Sequence, residues 1–177
     1  LSTRRTMASP QNGFTSTTSP VPASGDPLLD SLTGDYKAGG ALGTGAILSY
    51  SFPWSASGTA TWASVPNYSP LNEPASGFAL SPMQQAAFRS ALASWSQVAN
   101  LQFVEVADNP DAVGDIRIAW TGVPNPPSDA WTWQSSDFWA NAGDIWLSDA
   151  LMGGQPDVDW QAGGFNYMAL IHELGHA

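Results

Sequence analysis

His172-Glu173-Leu174-Gly175-His176 is the stretch whose residue types and spacing point most directly to chemistry. Residues four apart on a helix share a face, about one turn apart. His172 and His176 are therefore expected to offer two imidazoles to one Zn2+. Glu173 lies beside them, where a carboxylate can take a proton from metal-bound water as general base. H-E-x-x-H on a helix is a signature of zinc-dependent peptide hydrolysis. The chain has two His, and both fall in this motif. The competing reading is a solvated helix that happens to carry two His. A catalytic zinc takes three protein ligands and leaves one position for water. No third His and no Cys is present, and nothing marks one carboxylate as the third ligand.

The elements around the motif follow from local pattern. Met168-Ala169-Leu170-Ile171 leads into it as an apolar run, so a helix from about 165 to 177 is expected. Ser81-Pro82-Met83-Gln84 is the clearest helix start. Ser81 can cap, Pro82 sits where its missing N–H is harmless, and Gln84 completes a capping box. Ala87, Phe88, Ala91, Leu92, Trp95 and Val98 then recur at helical spacing. Strands are expected at Ile47–Phe52, Leu101–Val106, Asp115–Trp120, Ala130–Trp133 and Asp144–Ser148, with the short aromatic one at an edge. Leu28–Leu32 reads as a short helix or turn. The segment from Trp54 to Pro74 reads as a long polar loop with Trp62, Val65 and Tyr68 as anchors, and 149–163 as a Gly/Asp loop. Residues 1–27 read as a flexible arm or propeptide remnant, and 28–177 as one α+β domain. Two Gly-Asp-Ile segments, at Gly114 and Gly143, are too short to count as a repeat.

Composition narrows the classes. The chain has 177 residues, 43% hydrophobic and only 11% charged, with nine Trp and 31 Gly plus Pro (17 and 14). That supports a real core with many loops and large aromatic anchors. Net charge is −10, and it is unevenly placed. Residues 1–100 hold four acids and four bases, whereas 101–177 hold eleven acids and one base, Arg117. An acidic field repels nucleic acid and anionic membranes and tolerates cations. No run of 18 apolar residues is present, so no membrane span is expected. The absence of Cys excludes thiolate chemistry and suits a secreted bacterial protein that needs no oxidising step.

With these motifs in order, the chain resembles the metzincin zinc endopeptidases, and most closely the serralysin-like family of secreted bacterial proteases. The resemblance covers roughly residues 45–177. It rests on Ser81–Val106, with its Ala-Ser-Trp-Ser-Gln-Val-Ala-Asn-Leu-Gln-Phe run, on Asp115–Ile118, on Gly143-Asp144-Ile145-Trp146-Leu147, and on Tyr167–Ala177. It implies a mixed, mostly parallel twisted sheet packed by helices and ending in the zinc-binding helix. It also implies an extended substrate edge near Ala130, Trp131, Thr132 and Trp133. By strand alternation Trp131 and Trp133 share one face and Thr132 points the other way. The two Trp then form either an apolar subsite wall or part of the core.

The family motif continues with a Gly, a third His ligand and a Met-containing turn. A Ca2+-binding Gly/Asp repeat domain follows in that family. None of this is in the present chain, which reads as the N-terminal part of a catalytic domain. Activity is then expected to require a complementary C-terminal chain from the same precursor, with Ca2+ in that missing part. The expected function is zinc-dependent endopeptidase action on protein or peptide substrates. The alternative is a catalytically inactive, protease-like module that binds protein or glycan.

Overall fold

A computed structural model describes residues 9–10, 18–30, 34–54, 68–109, 112–123, 128–134 and 141–177. The expected anchors Trp62 and Val65, and Ser31 and Leu32 of the first helical turn, lie outside the described residues. The strands are β1 (Ser9–Pro10), β2 (Thr18–Pro20), β3 (Tyr36–Ala38), β4 (Ala46–Ser51), β5 (Gly77–Phe78), β6 (Leu101–Glu105), β7 (Ala112–Val113), β8 (Ile116–Thr121), β9 (Ala130–Thr132) and β10 (Asp144–Ser148). The helices are α1 (Pro27–Asp30), α2 (Pro82–Val98), α3 (Asp149–Met152) and α4 (Phe165–His176).

The main sheet runs β6-β4-β8-β10-β9. The first four strands are parallel neighbours, and β9 closes one edge antiparallel to β10. β4 pairs with β8 only through Tyr50 and Ser51, and β5 continues along the same side of β8 antiparallel to it. β8 and β10 are buried along their whole length, as expected of parallel strands covered on both faces. Gly114-Asp115-Ile116 and Gly143-Asp144-Ile145 lead into these two neighbouring strands. Gly143 has φ +76°, and a Cβ there would meet the Asp115 carbonyl oxygen, so only glycine fits.

Strand alternation divides the interior. Ile116, Ile118 and Trp120 of β8, with Ile145 and Leu147 of β10, join Leu48, Phe88, Leu92, Leu170 and Leu174 in the larger core beneath α2 and α4. The capping box of α2 forms as its sequence predicts: Gln84 N donates to Ser81 Oγ, and Ser81 N donates to Gln84 Oε1. α2 and α4 are tied by the Trp95 indole, which donates to Ile171 O at 3.0 Å, and by Ser90 Oγ against Tyr167 Oη at 3.0 Å. A Cβ on Gly175 would lie 3.1 Å from the Trp95 ring. Close helix packing therefore explains a glycine inside α4.

The opposite face of the sheet is aromatic and polar. Ala119, Trp146 and Tyr68 form a second cluster, with Trp54, Trp131 and Trp133 packed against it. Arg117 sits here with Asp144, Nε to Oδ1 at 2.6 Å and Nη2 to Oδ2 at 2.7 Å. Tyr68 Oη donates to Asp144 Oδ2 at 2.6 Å. Burial and the adjacent Asp144 charge hold the Tyr68 phenol far above its ordinary pKa, so Tyr68 remains a neutral donor.

Two stretches differ from the sequence reading. Within the expected Gly/Asp loop the chain forms α3 and a 3-10 turn, Asp157–Trp160, whose Met152 and Trp160 enter the main core. Within the expected arm, β2 pairs antiparallel with β3, and Ser19 Oγ donates to Gly39 O at 2.8 Å. Neither stretch is long enough to show a period, so tertiary contacts decide both.

Candidate functional site

The residues singled out for chemistry lie on α4 and β9, which pack against each other. The α4 sequence alternates its exposures at helical spacing. His172 and His176 are exposed, while Glu173 and Leu174 are buried. The two imidazoles are neighbours, as i and i+4 require. Their Nε2 atoms are 3.2 Å apart and their rings meet edge to face, with centroids 4.8 Å apart. That separation is a hydrogen-bond distance, and the tautomers of the two rings set which one donates.

Glu173 turns away from solvent. Its Oε2 accepts from Thr132 Oγ1 at 2.7 Å, and its backbone oxygen lies 3.0 Å from the same hydroxyl. Thr132 therefore reaches α4 from β9 and engages both the side chain and the backbone of Glu173. Ala130, two residues earlier and on the same face of β9, packs against the main core.

Trp131 and Trp133 share the other face, as strand alternation predicts. Both indole N–H groups donate to Glu73 Oε1, at 2.9 and 3.0 Å. Ser69 Oγ donates to Oε2 of the same carboxylate, and Glu73 is fully buried. The two Trp thus clamp a buried carboxylate on the far side of the sheet from His172 and His176. Glu73 has no sequence signal beyond its place in a polar segment. What organises it is the pair of indoles, more than 55 residues away in sequence.

The Zn2+ expectation is corrected by this geometry. Among the described residues, no group of three or more His, Cys, Asp or Glu is placed to hold a metal ion. His172 and His176 supply two ligands where a catalytic zinc takes three, and the Glu173 carboxylate is engaged by Thr132. The described residues do not build a zinc-activated site. The readings that depended on it fall together: metalloendopeptidase activity, hydrolysis with Glu173 as general base, and a zinc or other metal cofactor. No helix among the described residues is long and apolar enough to cross a membrane.

No family model matches the chain, and no curated protein shows significant similarity to it. The resemblance to the serralysin-like family gains no support from these comparisons.

Proposed function

We propose that this chain is a non-catalytic, protease-like module that binds an extended polypeptide along the outer edge of β9. The observation that carries the reading is the edge itself. β9 ends the main sheet, and among the described residues it pairs only with β10. Asp129 O accepts from Ser148 N, while Trp133 N donates to Asp144 O and Trp133 O accepts from Gly143 N. Antiparallel bonding alternates, so the backbone groups of residues 129, 131 and 133 face β10. Those of Ala130 and Thr132 face outward. An edge of this kind takes a peptide by strand addition, with main-chain bonds giving affinity.

The Trp residues argue for protein over glycan. A glycan platform needs an accessible indole face, whereas Trp131 and Trp133 are packed against the second cluster and tied to Glu73. The acidic excess favours basic or neutral peptides.

The test is calorimetric titration of the 177-residue chain with an alternating Val/Lys decapeptide, alongside the Ala130→Pro variant. Proline at 130 removes an outward N–H and leaves the β10 ladder intact, which edge strands tolerate. Losing one main-chain bond and its approach geometry should weaken binding about tenfold. Unchanged affinity in a folded Ala130→Pro protein, or no binding to the parent chain, would overturn the proposal.

A further inference from the structure

A second feature lies at the end of α4, beyond the last residues of β9. A cavity of about 460 Å3 opens between the β2–β3 hairpin, the end of α2, the start of β6 and the last turn of α4. Its volume falls in the range of small-molecule sites. The floor is apolar, built from Leu48, Leu101, Phe103, Ile116 and Leu174. Leu48, Ile116 and Leu174 belong to the main core, so this floor is as rigid as the fold.

The wall carries an unexpected charge. Among the described residues no Asp or Glu side chain lines this cavity. Lys37 does line it, half-buried. Arg89 and Arg117 each hold a carboxylate, Glu105 and Asp144. Among the described residues Lys37 has no such counter-ion. Its ammonium instead donates to Ala38 O at 2.9 Å and Gly40 O at 2.8 Å. Those bonds fix the group in place and use two of its three N–H donors. A half-buried ammonium that no described Asp or Glu side chain pairs with, in a chain of net charge −10, is a position at which a ligand can supply a negative charge.

We infer that this cavity binds a small amphipathic monocarboxylate, with its carboxylate on Lys37 and its alkyl or aryl body on the Leu48–Leu174 floor. The third Lys37 N–H then makes a charge-assisted bond, stronger than a neutral one.

The probes are decanoate, decanol and decyltrimethylammonium, each titrated calorimetrically into the 177-residue chain. They share a tail and differ in head-group charge. Decanoate should bind about tenfold more tightly than decanol, and the ammonium compound most weakly. Lys37→Met keeps the apolar stem and should lower decanoate affinity to that of decanol, leaving decanol binding unchanged. Lys37→Arg should keep the preference for the anion. Ala99→Phe, which projects a ring from the cavity wall, should reduce binding of all three. Equal affinity for decanoate and decanol, tightest binding of the cation, or no binding of any probe would overturn the inference. The parent-chain series decides the matter even if Lys37→Met fails to fold. Peptide binding at β9 should be unaffected by Lys37→Met, so failure of one reading does not carry the other with it.

Discussion

Replacing Asp144 by Asn tests the polar face of the sheet. Asp144 is fully buried and Arg117 is 5% exposed. The carboxylate accepts two bonds from Arg117, at 2.6 and 2.7 Å, and one from Tyr68 at 2.6 Å. Asn keeps the shape but offers one accepting oxygen and turns N–H groups toward the Arg117 guanidinium. Breaking a buried pair by removing one partner costs about 3–5 kcal/mol, because the remaining charge is stranded away from water. With a urea slope of about 2 kcal/mol per molar, the midpoint should fall by about 2 M.

The internal control is the exposed pair Arg89–Glu105, whose side chains are 41% and 42% exposed. Arg89→Ala should cost about 1 kcal/mol, including the loss of its contact over the Phe52 ring. Replacing both members, as Arg117→Met with Asp144→Leu, should recover part of the loss, since no buried charge is then left alone. Urea denaturation at neutral pH, followed by tryptophan fluorescence, reads all three. If Asp144→Asn costs no more than Arg89→Ala, the buried pair does not hold this face together and the reasoning fails.

Three further outcomes are expected. Glu73→Ala strands the indole N–H groups of Trp131 and Trp133 with the Ser69 hydroxyl, and should cost about 3 kcal/mol by denaturation, whereas Glu73→Gln, which keeps an acceptor for the indoles, should cost less. Gly114→Ala would place a Cβ 2.5 Å from the Tyr50–Ser51 backbone, and should lower stability by about 1–3 kcal/mol in the same assay. The Tyr50 phenol is pushed up to about 12, first by burial and then by its bond to Glu105. A raised folded value means that this contribution is complete below the ordinary tyrosine pKa and lost as the pH rises through the folded one. Wild-type stability should therefore drop between about pH 10 and 12, and Tyr50→Phe should flatten that drop; an identical alkaline profile would contradict it.

Local signals carried the elements that are long or chemically marked. The capping box at Ser81 and Gln84 predicts the start of α2 because a few neighbouring residues satisfy the helix's orphan backbone groups. The i, i+4 spacing of His172 and His176 likewise predicts that two rings will meet. Alternation in Ala130–Trp133 predicts that Trp131 and Trp133 share a face. These are short-range consequences of backbone geometry, and they survive any tertiary arrangement that keeps the element.

What the site is made of was decided elsewhere. A third ligand for the two imidazoles would have to arrive from a distant part of the chain, and among the described residues none does. Which face of β9 meets α4 depends on the sheet order. That order sends Thr132 to Glu173 and both Trp side chains to Glu73. Lys37 belongs to no motif in the sequence, and only the fold places it half-buried on an apolar cavity that no described Asp or Glu side chain lines. Spacing along the chain determines which side chains of one helix or strand stand together. Charge pairing, burial and the completeness of a site depend on residues tens of positions apart, and only packing brings those into contact.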